Sequence, residues 1–304
     1  MSSAPLRSPL VVVPTAGRRD IAPLVCELVE QASASDPAAT VLVLDNSASG
    51  LPSTRAAADV GSAEYLHVGT RGLASVRNAA LDAAVERSAD AVVFIDDDER
   101  PVSGWLAAHL DAAARFDADV VLGPVPVEVP PGAPRWVADG RVLRDVPDRA
   151  TGLFDGPVNA GNTLVRLDIV QRTGVRFDTA FDATGGEDTM FFGQLRAAGA
   201  VVAWARDAVA PEIQDADRLT FGGFTRRLYE AGQRGVLVER GLHETPSGTI
   251  ALRRTGRMVR GAGTAIVGSV TLHPDVAARG VGDMAFGWGS LTALAGRRPN
   301  TYAR

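Results

Sequence analysis

Residues Val92-Val93-Phe94-Ile95 run without a break into Asp96-Asp97-Asp98-Glu99. A short continuous apolar run bounded by polar residues predicts a strand covered on both faces, as in a parallel sheet. Folding requires no carboxylates at the end of such a strand, and four in a row repel one another unless a cation lies among them. Two readings stand side by side. One is a solvated acidic loop. The other is a hard divalent cation, Mg²⁺ or Mn²⁺, held by carboxylate oxygens and completed by water and the phosphates of a ligand.

The strand pattern recurs at residues 10–13, 40–44, 64–68 and 119–123, and helical spacing lies between, at 21–29, 73–85 and 101–116. Strands alternating with helices predict a mostly parallel sheet with helices on both faces. Pro14 is read as opening the loop 14–19, because proline does not continue a central strand. In such sheets ligands bind beyond the carboxyl ends of the strands, which is where both Asp45 and the acids 96–99 fall. From Pro124 the rhythm breaks into a proline-rich stretch that reads as irregular structure or edge strands to about Gly156. A strand at 159–165, helices at 167–173 and 189–198, a strand at 201–204 and a helical pattern at 218–235 follow.

Beyond Gly241, Arg253, Arg254, Arg257 and Arg260 alternate with apolar positions, followed by Met284, Phe286, Trp288, Leu291 and Leu294. This segment reads either as a pair of short helices with arginine on the wet side, or as a surface for an anionic membrane.

Composition removes several classes of function. The 304 residues carry a net charge of −5, against a general nucleic-acid binder. All 31 basic residues are arginine, which excludes a Schiff-base lysine and a Walker A lysine. The one cysteine, Cys26, permits no disulfide within the chain and no cysteine metal cluster. The apolar run 10–13 is too short for a signal peptide's apolar region, and 263–272, the nearest approach to a membrane span, is too short and too mixed. The expectation is a soluble, cytoplasmic protein with its C-terminal end available for peripheral membrane contact.

A second acidic pair, Glu187-Asp188, follows Gly185-Gly186 and opens a helix. Acids at a helix N-terminus stabilise the helix by themselves. The functional alternative is a general base that deprotonates a hydroxyl opposite a metal-bound leaving group.

Residues 11–18 (Val-Val-Val-Pro-Thr-Ala-Gly-Arg), Asp45-Asn46-Ser47, Ala74-Ser75-Val76-Arg77-Asn78, Phe94 to Glu99 and Gly185 to Asp188 occur in an order that resembles family 2 glycosyltransferases of the GT-A fold. The likeness spans about residues 9 to 235. The stretch from Phe94 to Pro101, with Gly123-Pro124-Val125, Trp136 and Gly161-Asn162-Thr163, is similar to the succinoglycan-type exopolysaccharide glucosyltransferases.

The resemblance implies an α/β fold of Rossmann-like nucleotide-diphospho-sugar transferase type: a mixed, mostly parallel sheet flanked by helices, with a helical C-terminal extension. It implies a GT-A domain over 1–240, with a nucleotide-binding half (1–123) and an acceptor half (124–240), and the extension over 241–304. Pro14, Thr15 and Arg18 would line the base and ribose pocket, Asp45 would bond the uracil or ribose, and Arg77 would sit near the nucleotide. Asp96 and Asp97 would meet the nucleotide, with Asp96 on the ribose. Asp98 would bind Mn²⁺ or Mg²⁺, with Glu212 as a further ligand and His243 as its alternative. Asp188 would be the catalytic base, and Glu187, Gly186, Asn162 and Trp136 would contact donor or acceptor sugar. The implied reaction is metal-dependent, inverting transfer from a UDP-sugar to a saccharide or lipid-linked saccharide. A sugar-phosphate nucleotidyltransferase and a non-catalytic sugar-nucleotide-binding or carbohydrate-binding protein are the alternatives.

Overall fold

The computed structural model describes residues 5–137, 142–144, 146–214, 219–243 and 245–299. Its first half alternates strand and helix: β1 (Pro9–Thr15), α1 (Ala22–Ala34), β2 (Thr40–Asp45), α2 (Pro52–Gly61), β3 (Glu64–His67), α3 (Leu73–Glu86), β4 (Ala91–Phe94), α4 (Trp105–Arg115) and β5 (Val120–Leu122). There follow β6 (Val127–Glu128), β7 (Gly152–Leu153), β8 (Thr163–Arg166), α5 (Leu167–Thr173), α6 (Glu187–Ala197), β9 (Val202–Trp204) and β10 (Glu212–Ile213).

Eight of these strands form one sheet in the order β3-β2-β1-β4-β8-β5-β9-β7. The β3-β2-β1-β4 run is parallel, β8 is antiparallel to both β4 and β5, β5 is parallel to β9, and β7 is antiparallel to β9. The expected mixed, mostly parallel sheet is therefore present. Val11, Val13, Val93 and Ile95 pack with Leu24 and Leu28 of α1 and Trp105 and Leu106 of α4 in one buried cluster. Leu10, Val12, Val92 and Phe94, equally buried, alternate with them and face the other side, and α3 packs on β1 and β4. Burial of both faces accounts for the unbroken apolar runs.

The structure corrects three expectations. Pro14 lies inside β1, paired with Leu44, rather than beginning a loop. It is tolerated because pairing with β4 ends at Val12, so on that side no ladder bond is lost. The helix α2 was not anticipated. The C-terminal helices are long: α7 (Phe221–His243), α8 (Ser247–Val270) and α9 (Pro274–Leu294). Arg218, where the first of these was expected to begin, lies outside the described residues.

The chain divides into two compact units. One comprises residues 1–125, 147–182 and 187–212, and holds the eight-stranded sheet. The other comprises 126–146, 183–186 and 213–304. In this second unit α9 packs along both α7 and α8, and Trp136 stacks edge-on to Phe221 and tilts against Phe224 at ring separations of 5.7 and 5.1 Å. Among the described residues no helix is long and apolar enough to cross a membrane.

Candidate active site

The parallel strands β1, β2 and β4 deliver Thr15, Asp45 and Asp96 to one edge of the sheet, because Thr15 pairs with Asp45 and Val12 with Phe94. The acidic run after β4 is a tight turn. The Glu99 amide donates to the Asp96 carbonyl at 3.1 Å, and the Asp96 amide donates to Glu99 Oε2 at 3.2 Å. Glu99 is buried and faces Glu212 through an antiparallel bridge, while Arg100 N donates to Pro211 O at 2.9 Å. The acids thus sit on a segment tied to residues 209–212. Thr15 Oγ1 donates to Asp97 Oδ2 at 2.6 Å and fixes this turn to the end of β1. Asp98 lies 3.9 Å from the Arg19 guanidinium. Gly161, just ahead of β8, lies under the turn: a Cβ there would stand 2.7 Å from both Asp96 Oδ2 and Glu99 Oε1.

Arg77 connects this turn to the second acidic pair. Its guanidinium, carried by α3 and buried, forms a close ion pair with Glu187 through Nη1 and approaches Asp96 Oδ1 at 3.6 Å through Nη2. Glu187 is itself buried, and among the described residues its Oε2 finds no hydrogen-bond donor. Burial raises its pKa, with the Arg77 charge opposing and the neighbouring Asp188 and Asp96 carboxylates adding. Asp188 is half-buried in the first turn of α6, where its Oδ1 accepts from Thr189 N at 2.6 Å. Gly185 and Gly186 precede it with φ of +73° and +102°, backbone that a side chain would strain. Arg77 therefore holds the Asp96 turn and the start of α6 within the span of one guanidinium.

Three residues expected at ligands are committed elsewhere. Asp45 has no exposed surface: Ser47 N, Leu51 N and Tyr65 OH donate to its carboxylate at 2.9, 2.7 and 2.9 Å. Burial raises its pKa, but these hydrogen bonds outweigh that and hold it below the usual value. It shapes the loop after β2 instead of reaching a base. Asn162 is wholly buried, with φ of +53°. Its Nδ2 donates to Pro124 O and Ala208 O at 3.0 and 2.8 Å, and its Oδ1 accepts from Trp105 Nε1 and meets His109 Nε2 at 2.8 Å. That exhausts the amide, so no sugar contact is left to it. Glu187 is turned inward on Arg77 and does not present its carboxylate to a sugar.

Of the remaining candidates, Pro14 is half-buried, Arg18 is exposed and Glu212 is buried beside Glu99. Trp136 is half-buried in the aromatic cluster of the second unit, and His243 is exposed at the end of α7. Among the described residues, no group of three or more His, Cys, Asp or Glu side chains is arranged to hold a metal ion. The donors at the turn are hard carboxylate oxygens, with Asp98 partly accessible. Such a set suits Mg²⁺ or Mn²⁺ only where phosphate and water complete the shell, which is how such ions bind nucleotides.

The sequence model of glycosyl transferase family 2 matches residues 10–174, from β1 to the end of α5. The chain belongs to glycosyl transferase family 2. With that membership it is a transferase enzyme. A curated family relative, the succinoglycan biosynthesis protein ExoM of Rhizobium meliloti, is 32% identical over 199 residues, which is 64% of this chain and 62% of the relative. The match thus spans less than two thirds of that protein's length. Among solved structures, a mannosyltransferase from Pyrobaculum calidifontis in complex with GDP-Man and Mn²⁺ has a TM-score of 0.59 at 19% identity, covering 97% of this chain and 74% of that one. The S. aureus TarS fragment 1–349 in complex with UDP-GlcNAc has a TM-score of 0.53 at 11% identity, covering 94% and 92%. These likenesses show the GT-A type of fold.

Two supports of this candidate site escaped the sequence. Glu99 was visible only as one more acid in a run, yet it is the buried residue that closes the turn. Asp182 carried no signal: its carboxylate accepts from Ser75 N at 3.1 Å and Ser75 Oγ at 2.6 Å, capping α3 and thereby steadying the helix that carries Arg77.

Proposed function

We propose that the chain transfers a sugar from a nucleotide-diphosphate donor, a UDP-sugar, to a hydroxyl of a saccharide or lipid-linked saccharide, with inversion to a β-linkage. The observation that carries this is the Arg77 bridge. It joins a carboxylate turn at the end of β4 to the residue next to Asp188, so a metal-ligating acid and a proton acceptor belong to one rigid cluster.

Asp188 accepts the proton of the acceptor hydroxyl. The oxygen attacks the anomeric carbon from the face opposite the diphosphate, the new C–O bond forms as the old one breaks, and the electron pair leaves on the nucleoside diphosphate. One displacement converts an α-linked donor into a β-linked product. Asp98, with Glu212 as the further ligand, would hold a divalent ion, Mn²⁺ or Mg²⁺, whose charge would offset that of the departing diphosphate. Asp96, with 41% of its side chain accessible, faces the ribose, and Pro14, Thr15, Arg18 and Asp97 border the nucleotide. Arg77 orients the Asp96 turn beside it. Gly186 gives the acceptor backbone-close access, and Trp136 contributes an aromatic face to sugar recognition. The division into a nucleotide half (1–123), an acceptor half (124–240) and an extension (241–304) belongs to the same proposal.

The test is nucleoside diphosphate release from UDP-, GDP- and dTDP-sugars with and without Mn²⁺, with the anomeric configuration of the product read by NMR. UDP release with a β-product supports the proposal; pyrophosphate release or an α-product overturns it. Asp188→Asn is expected to abolish transfer while UDP binding persists. Undiminished turnover in that variant removes Asp188 from the role of base.

A further inference from the structure

Among the described residues the outer face of α8 has no partner within its own unit. Leu252, Gly256, Val259, Gly263, Ile266 and Val270 succeed one another at alternating steps of four and three, the spacing of a single helical stripe. All six are exposed. The four large side chains and Val267 beside them have relative exposures from 57% to 77%, and Leu272 follows at 87%. A Cβ built at Gly256 or Gly263 meets nothing within 4 Å. The opposite face is the packed one: Gly261 and Gly268 lie against the backbone of α9 at Gly280 and Ala277. An apolar stripe of five turns left open in this way marks a binding surface.

Charge decides what covers it. From Ser247 to Pro274 there is no Asp or Glu, in a chain whose net charge is −5. The same helix carries Arg253, Arg254, Arg257 and Arg260. Arg253 and Arg260 flank the stripe on one side, both exposed, with Arg253 also paired to Glu239 on α7. Arg254 and Arg257 turn inward to Glu239 and Asp283. A second copy of α8 laid against the first would set arginine beside arginine, with no carboxylate on either helix to answer them. A lipid surface with anionic headgroups answers both features: acyl chains take the apolar stripe and phosphates take the arginine flank.

We propose that the outer face of α8 lies in the interface of an anionic phospholipid bilayer, as a surface-bound amphipathic helix that does not span it. The proposal is independent of the transfer reaction proposed above.

The test is co-sedimentation of the full chain with vesicles of phosphatidylcholine alone and of phosphatidylcholine mixed with phosphatidylglycerol, together with light scattering in the absence of lipid. Binding is expected to the anionic vesicles, weakening as salt rises. Val259→Asp/Ile266→Asp is expected to weaken it at least about tenfold. These side chains are exposed, so circular dichroism and the thermal midpoint should match the parent. Arg260→Glu, a surface change, is expected to reduce anionic binding and flatten its salt dependence. Equal binding to both vesicle types, no binding to either, or full binding by the double variant overturns the proposal. A dimer without lipid that the double variant dissolves also overturns it, by giving the face to self-association.

Discussion

Replacing Arg77 by methionine tests the centre of the site. Arg77 and Glu187 are 4% and 2% exposed and paired, with Asp96 as a second carboxylate neighbour. Methionine fills much of the arginine stem but leaves the Glu187 carboxylate buried without its counter-charge. Removing one member of a buried ion pair costs about 3–5 kcal/mol, far more than an exposed pair contributes. The loss should depend on pH. Burial, Asp188 and Asp96 all push the Glu187 pKa up, and the Arg77 charge is the largest influence opposing them, with a backbone hydrogen bond beside it, so the variant raises it further. A carboxyl whose folded pKa lies above its unfolded value holds its proton more tightly when folded. Its stability contribution is therefore best below the unfolded value and declines as pH rises through the window to the folded one. The limiting slope is about 1.4 kcal/mol per pH unit for one group. Urea titrations at neutral pH and near pH 5 should thus show Arg77→Met more damaged at neutral pH. Arg77→Met/Glu187→Gln should recover most of the difference and lose the slope. A single-variant cost below about 1 kcal/mol, the range of an exposed pair, would falsify the buried bridge.

Three further outcomes are expected. His109 is wholly buried and burial depresses its pKa to about 4, partly offset by its Asn162 hydrogen bond; stability present above pH 6.5 should therefore fall by about 3 kcal/mol as pH drops towards 4. Unfolding of His109→Phe across that range should lack this part of the acid slope, and an unaltered slope would show that His109 does not carry it. Gly161→Ala places a Cβ 2.7 Å from two carboxylate oxygens, one of them on buried Glu99, so Asp96 must shift; kcat/KM should drop about 10²-fold with the fold retained, and unchanged kinetics would refute the close fit. Chelation by EDTA should stop transfer and Mn²⁺ should restore it, whereas Asp98→Ala should weaken Mn²⁺-dependent UDP binding in calorimetry; intact binding would remove Asp98 as the ligand.

The sheet was legible because its central strands are buried on both faces and therefore written as uninterrupted apolar runs. The boundaries of α5 were legible for a similar reason, since its apolar residues fall at helical spacing. The helix α2 was not, because its sequence, PSTRAAADVG, buries only Thr54, Ala57, Ala58 and Gly61 and so has no large apolar repeat. Nor was the length of α8 and α9. Glycine lowers helix propensity, yet Gly268 is what lets α9 approach: a Cβ there would stand 2.3 Å from the Ala277 backbone nitrogen. At the site, the acids themselves were plain, but their division of labour was not. Asp45, Asn162 and Glu187 are polar residues in motif positions, and only the partners around them reveal that they are spent on the protein's own loops and helices. Burial of a polar group depends on partners distant in the chain, here up to 110 positions apart for Arg77 and Glu187.

The amide of Asn162 clamps three separate stretches of chain, α4 at Trp105 and His109 and the backbone at Pro124 and at Ala208. Two of its bonds need a donor and two need an acceptor, and aspartate, the same in outline, offers only acceptors when ionised. Loss of one nitrogen atom, whether by mutation or by slow deamidation in storage, would turn that clamp into a buried negative charge facing two carbonyl oxygens. The packing of α4 against these two backbone stretches is therefore tied to a single side chain with no exposed surface.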